Sequence, residues 1–263
     1  SRGGVAPAAV RLGEGRHPRR GGVSSTMARG PTLADHIAAV RERIAVGAAD
    51  PGAVRLVAVT KGFGIDVVRA ALAAGLVDLG ESYVQELVVK ASALEHESDG
   101  GTRGAAGVAT APVPRWHAIG RLQRNKVRKA APHVALWHSV DRLSLGAEIA
   151  RWAPGAAVLV QVNTSGEEAK GGCTPARAAG LVDGLVDLGL DVQGLMAIAP
   201  AGPPDDARPA FHAARVLRDQ LGLSELSMGM TGDLEVALSE GATLVRVGSG
   251  LFGPRPRRDG VRH

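Results

Sequence analysis

Lysine is scarce in this chain, and that makes each one informative. Five of the 31 basic residues are lysines, at positions 61, 90, 126, 129 and 170, and the rest are arginines. Arginine replaces lysine wherever charge alone matters, but a guanidinium cannot act as a nucleophile. Lys61 closes the apolar run Leu56-Val57-Ala58-Val59-Thr60. An amine there is partly desolvated, which favours its neutral, nucleophilic form and so Schiff-base chemistry. The competing reading is a lysine that snorkels from a strand end to solvent. Two later turns are small and rich in donors: Ser227-Met228-Gly229-Met230-Thr231-Gly232-Asp233 and Val247-Gly248-Ser249-Gly250. Their glycines permit close backbone approach. Thr231 is placed to cap a following helix, where free N–H groups suit a phosphate. Either turn alone is a common loop. Arg246 interrupts the apolar run Leu244-Val245-Arg246-Val247. A charge there needs a partner, either a carboxylate such as Asp233 or Glu235 or a heteroatom of a ligand.

The elements that must carry these residues follow from periodicity. Pro31-Thr32 opens a helix whose apolar positions, Leu33, Ile37, Val40 and Ile44, recur at helical spacing. Strands are expected at 56–60, 77–79, 115–119, 134–138, 157–162, 192–197, 225–227 and 243–247. Helices are expected between them at 65–74, 83–94, 122–131, 142–152, 175–188, 205–221 and 233–239, with residues 98–114 as a loop insertion. Strict alternation demands parallel strands, and this unit count and length match an α/β fold, a single (β/α)8 TIM barrel. An open doubly wound sheet is the alternative. It usually carries a glycine-rich turn after strand one, where this chain has Lys61-Gly62-Phe63-Gly64.

In a barrel, function gathers at the C-terminal strand ends, with phosphate in the loops after strands seven and eight. Lys61 ends strand one, and the donor-rich turns end strands seven and eight. If Val57 and Val59 face the interior, pleat parity points Lys61 into the mouth. An amine, a phosphate cup and an arginine around one cavity suit pyridoxal 5′-phosphate: aldehyde to Lys61, phosphate to the cup, ring nitrogen to Arg246.

Charge and cysteine usage exclude other classes. The net charge of +5 resides in the ends: residues 1–30 carry +5 and residues 254–263 carry +3, which leaves 31–253 at −3. A slightly acidic body is not the footprint of a nucleic-acid groove. The glycine- and arginine-rich 1–30 segment reads as a disordered N-terminal extension, and 254–263 as a basic C-terminal tail. The first segment lacks the apolar stretch of a secretory signal, although its arginines also fit an organelle transit peptide. One cysteine, Cys173, permits no internal disulfide and no Cys-pair zinc site. No apolar run reaches the ~18 residues of a membrane span. The expected location is cytoplasmic.

A series of segments, in this order, sharpens the reading. They are Ala58-Val59-Thr60-Lys61, Gly80-Glu81-Ser82-Tyr83-Val84-Gln85-Glu86 and Trp116 through Lys126 (WHAIGRLQRNK). Gln161 through Lys170 (QVNTSGEEAK), Gly194-Leu195-Met196, Ser227-Met228-Gly229-Met230-Thr231 and Val245-Arg246-Val247-Gly248-Ser249 follow. Over residues 33–253 the series resembles the pyridoxal phosphate homeostasis proteins, whose fold is a barrel like the N-terminal domain of alanine racemase. The resemblance implies that Lys61 holds the cofactor as an internal aldimine. It also implies that Ser227, Thr231, Gly248 and Ser249 hold the phosphate, that Arg246 faces the ring nitrogen, and that Ser82 lies near the cofactor. That family binds and buffers the cofactor without established turnover, and apo-enzymes are the expected recipients. Four departures stand out. Ser82 replaces a common Asn, Thr231 a common Ser, and Ser249 a common Thr. Gly62-Phe63-Gly64 replaces a Lys and a Pro after the site lysine, which bears on loop mobility and cofactor release.

Three function classes remain distinguishable. The first is a non-catalytic carrier of pyridoxal phosphate, which the resemblance implies. Eleven residues after Phe252 are too few for the second domain that racemases and decarboxylases add. The second class is an enzyme, either a racemase-like activity or a cofactor-free Schiff-base aldolase, with Tyr83 and His117 as candidate proton donors. The third, nucleic-acid binding through the basic ends, is disfavoured by the acidic body.

Overall fold

The computed structural model describes residues 30–100 and 112–256, without the side chains of 98–100 and Glu168. Most of the 1–30 extension, the middle of the 98–114 segment and the tail beyond 256 lie outside the described residues.

Helix α1 (Leu33–Gly47) starts at Thr32 as expected. The Thr32 hydroxyl accepts from Asp35 N–H while the Asp35 carboxylate accepts from Thr32 N–H, a reciprocal capping box. Its apolar stripe buries Ile37, Val40 and Ile44. Strand β1 (Arg55–Val59) and helix α2 (Ile65–Ala73) begin an alternation. It continues through β2 (Asp78–Glu81), α3 (Val84–Gly100), β3 (Arg115–Ala118), α4 (Arg124–Ala130), β4 (Val134–Val140) and α5 (Leu143–Trp152). Then come β5 (Ala157–Gln161), α6 (Pro175–Asp187), β6 (Asp191–Met196) and α7 (Arg208–Gln220). The series closes with β7 (Glu225–Ser227), α8 (Leu234–Ser239), β8 (Leu244–Val247) and the short α9 (Ser249–Phe252).

The strands pair in sequence order as a closed parallel barrel, β8 returning to β1. Closure rules out the open doubly wound sheet. Two expectations need correction. Helix α3 runs to Gly100, so residues 98–100 belong to it and not to a loop. Its last turns carry Glu95, His96 and Glu97, a polar stretch with no apolar period to reveal it. Helix α9 was not foreseen.

The apolar core has two zones. Between sheet and helices lie Leu79, Trp137, Leu185 and Phe211, among many others. Inside the barrel sit Val57, Leu136, Leu159, Met196 and Leu244. The interior position of Val57 fixes the parity of β1. The remaining interior positions include polar groups, which belong to the site. Among the described residues, no helix is long and apolar enough to cross a membrane.

Candidate functional site

The turn after β1 presents Lys61, and buried charges pin it on both flanks. Behind it, Lys90 on α3 donates to the Thr60 carbonyl at 2.8 Å and also binds the Glu81 carboxylate. The Thr60 hydroxyl donates to the same Glu81 oxygen at 2.7 Å. On the other flank, Gly62 N–H donates to Glu86 at 2.8 Å, and Glu86 lies 3.7 Å from Lys90. Gly62 has φ +78°, a conformation that glycine adopts freely. Phe63 packs on Phe252 with ring centroids 5.5 Å apart, and Arg255 leans over Gly62. The Gly62-Phe63-Gly64 departure is therefore a turn stapled to α9 and the segment after it. Lys61 is half-buried. Burial lowers its pKa, and repulsion from Arg255 and Arg246 adds to this. The shift favours the neutral amine, as nucleophilic chemistry requires.

Arg246 on β8 is 5% exposed. One Nη donates to Ser227 Oγ at 2.7 Å and the other to the Ala197 carbonyl at 3.0 Å. Burial pushes its pKa down to about 10, so it stays a cation at neutral pH. The carboxylate alternatives did not become contacts. Glu235 pairs with Arg43 on α1 at 2.5 Å, and Asp233 acts on Arg246 only through space.

The two donor-rich turns meet at the β7 and β8 ends. Thr231 Oγ1 accepts from Gly250 N–H at 3.2 Å and lies 3.2 Å from Ser249 Oγ. Thr231 is not the cap of α8. Asp233 precedes that helix, its carboxylate accepting from Met230 N–H, so the Thr231 hydroxyl turns toward the β8 loop instead. A Cβ on Gly250 would sit 3.1 Å from the Thr231 methyl, and one on Gly229 would sit 2.5 Å from Ala237 Cβ. Close approach and a φ of +87° require glycine at 229, while at 250 a side chain would crowd Thr231. Helix α1 braces this corner: Arg43 donates to the Thr231 carbonyl at 3.0 Å, and His36 to the Leu251 carbonyl at 2.9 Å.

The remaining expected residues separate. Ser82 follows β2, half-buried, with its backbone against Gly120, where a Cβ would lie 2.2 Å from the Ser82 carbonyl oxygen. Ser227 is fully buried, and its hydroxyl is engaged by Arg246 and by His138 Nδ1 at 2.9 Å. Tyr83 is 58% exposed. His117 is buried, with one ring nitrogen on Asp78 and the other on His138. Asp78, Glu81, Lys90 and His138 were missed. Asp78, His117 and His138 are polar residues at inward positions of apolar strands, a signal the parity of β2, β3 and β4 contains.

With the geometry in place, comparisons with known proteins decide the family. A family pattern described as alanine racemase, N-terminal domain, matches residues 8–256. The pyridoxal phosphate homeostasis protein of Pseudomonas aeruginosa is 41% identical over 239 residues, which cover 85% of this chain and 96% of that one. The chain belongs to the pyridoxal phosphate homeostasis protein family. Within it, the solved structure of PipY from Synechococcus elongatus with pyridoxal phosphate bound superposes with a TM-score of 0.71. That structure is 33% identical, and the match covers 84% of this chain and all of PipY. Beyond the family, an alanine racemase of Clostridium difficile shares the fold at 12% identity and a TM-score of 0.64, the match covering 60% of its length.

Proposed function

We propose that this chain binds pyridoxal 5′-phosphate and serves its homeostasis in the cytoplasm, holding the cofactor and yielding it to apo-enzymes without turnover of its own. When bound, the cofactor supplies an aldehyde for an amine and an electron-withdrawing ring. The observation that carries the reading is the half-buried Lys61, its pKa lowered, within the electrostatic reach of a buried Arg246 that no carboxylate among the described residues contacts. Lys61 supplies the amine. Arg246, always a donor, faces the ring nitrogen and keeps it unprotonated. Thr231, Gly248 and Ser249 receive the phosphate, whose approach the small residues permit. Thr231 spends its acceptor capacity on Gly250 and Ser249, which leaves its own proton for the ligand. Ser82 borders the mouth, and Ser227 serves through Arg246 rather than touching phosphate.

An unprotonated ring is a weak electron sink, which favours storage over carbanion chemistry. Neither acid–base candidate supports turnover either: Tyr83 faces solvent, and both ring nitrogens of His117 are engaged within the barrel. The relatives carry homeostasis names, not enzyme names. The test is a visible spectrum of the purified chain loaded with pyridoxal phosphate, then borohydride fixation and mass mapping. The label is expected on Lys61. Lys61→Ala should be folded by circular dichroism and colourless. A label on another lysine overturns the assignment, and alanine racemisation at enzymatic rates of ~1–10³ s⁻¹ overturns the carrier reading.

A further inference from the structure

A file of polar side chains runs along the inside of the barrel. Asp78 stands at the start of β2 and is bound at 2.6 Å by Arg115, whose side chain is half exposed. Its other oxygen meets His117 Nε2 at 2.9 Å. His117 Nδ1 meets His138 Nε2 at 2.8 Å, and His138 Nδ1 meets Ser227 Oγ at 2.9 Å. Ser227 Oγ then accepts from Arg246 at 2.7 Å. Register places the file inside. His117 pairs with Leu136, Ser227 with Met196 and Arg246 with Val57, all three partners being interior residues.

We propose that Asp78, His117, His138 and Ser227 are positioning residues for Arg246, joined in one directed hydrogen-bond chain that aims the guanidinium at the barrel mouth. The ligand it is aimed at rests on the function proposed above, whereas the chain itself belongs to the protein alone. Direction follows from the two ends. A guanidinium only donates, so Ser227 Oγ accepts from it, and in the proposed direction the hydroxyl's single proton goes to His138 Nδ1. At the far end Asp78 only accepts. Burial would raise its pKa, but hydrogen bonds from His117 and Arg115 outweigh this and keep it a carboxylate. His117 therefore carries its proton on Nε2. His138 is neutral, because burial drives its pKa far down and the charge of Arg246 adds to this. With Nδ1 accepting, His138 must carry its proton on Nε2, where it donates to His117 Nδ1. Each donor in the file then has one acceptor, all pointing from Arg246 toward Asp78.

Such an arrangement does more than fill space. An apolar replacement of a buried polar cluster is often equally stable, and the interior neighbours of this file are Val, Leu and Met. What apolar residues cannot do is fix a long, flexible guanidinium in one pose. Among the described residues, no group of three or more His, Cys, Asp and Glu could hold a metal, so the file is not explained as a metal site.

The test begins on the unliganded full-length chain, with ¹⁵N-labelled histidine followed by NMR. His117 and His138 should each be protonated at Nε2 alone, with slowly exchanging protons. A proton on His138 Nδ1 overturns the proposal whatever the chain binds. Ser227→Ala should then speed pyridoxal phosphate dissociation about tenfold, the effect of one lost anchoring hydrogen bond. It should also shift the bound visible maximum, a readout of the ring's surroundings. Asp78→Asn, which retains an acceptor, should preserve both the histidine pattern and the spectrum, whereas Asp78→Ala should lose both. Unchanged dissociation and spectrum in both Ser227→Ala and Asp78→Ala would refute the positioning role. A parent that takes up no pyridoxal phosphate would instead refute the proposed function, and the histidine pattern alone would decide the chain.

Discussion

Two buried cations flank Lys61, and they are treated in opposite ways. Lys90, behind the β1–β2 ends, is bound by Glu81 and lies near Glu86. Arg246, inside the barrel, receives a hydroxyl and a carbonyl. A buried charge is costly unless paired. Lys90 has its pairing within the fold and acts as a brace, holding the Thr60 carbonyl. Arg246 keeps donors uncommitted to any anion, which is the condition of a group waiting for a ligand. Full neutralisation thus marks support, and partial neutralisation marks the proposed site.

The largest effect should come from breaking the brace. Lys90→Ala leaves Glu81 buried without its cation, and removal of one partner of a buried pair costs about 3–5 kcal/mol. Glu81 is already pushed upward by burial, with the Lys90 and Thr60 bonds opposing the shift, and one of its oxygens has no hydrogen-bond partner among the described residues. Without Lys90 its pKa rises further. A raised folded-state pKa gives stability that is present below the unfolded value, about 4.3, and is lost as pH climbs through the folded value. The deficit of Lys90→Ala should therefore shrink toward acid pH, as urea unfolding at several pH values would show. Arg246→Met should cost less, about 1–2 kcal/mol, because only two neutral acceptors lose a donor. Yet it should abolish tight cofactor binding. Equal destabilisation of the two variants would erase the distinction between brace and site.

A smaller effect separates the cup from both cations. Charge-assisted hydrogen bonds to phosphate are worth ~1.5–3 kcal/mol. Thr231→Ala should thus weaken pyridoxal phosphate binding by roughly ten- to a hundredfold, and Ser249→Ala, whose single proton is spent on Thr231 in the free protein, by less. Thr231→Ala should do more, since its hydroxyl also holds Gly250 N–H. Unchanged dissociation in both variants would move the phosphate elsewhere.

The sequence revealed some of these parts more readily than others, for physical reasons. Strand ends lay within about two residues of expectation because buried parallel strands are apolar runs, so Lys61 could be set just after β1 and Arg246 within β8 from the sequence alone. The two donor-rich turns were legible from their positions after β7 and β8, and they do meet through Thr231 and Gly250, although Asp233 and not Thr231 precedes α8. The Arg246–Ser227–His138–His117–Asp78 file did not emerge. Its contacts join residues 21, 39 and 89 positions apart. Pleat parity tells which face a residue occupies but not which neighbours meet across a barrel. The Lys90 brace was hidden in part: Glu86 stands four residues before Lys90 on the same helix, but only the packing of α3 on β2 brings Lys90 to Glu81.

The smallest effect concerns Arg255, which links the segment after α9 to the site. Burial is the main reason the Lys61 pKa is lowered, with repulsion from Arg255 next and from Arg246 after it. Arg255 is exposed and packs over Gly62, so removing it should leave the fold intact. In Arg255→Ala the Lys61 pKa should rise toward its ordinary value. The neutral amine fraction at any given pH then falls, and the pH midpoint for covalent capture of pyridoxal phosphate moves upward. An interaction reaching a half-buried amine from an exposed guanidinium is screened by ions, and the Debye length shrinks from ~10 Å at 0.1 M to ~3 Å at 1 M salt. The parent and variant midpoints should therefore differ at low salt and converge near 1 M. Capture rates from stopped-flow absorbance across pH, at both salt concentrations, measure this. Coincident midpoints at low salt would show that burial and Arg246 alone set the reactivity of Lys61, and that Arg255 has no part in tuning the site.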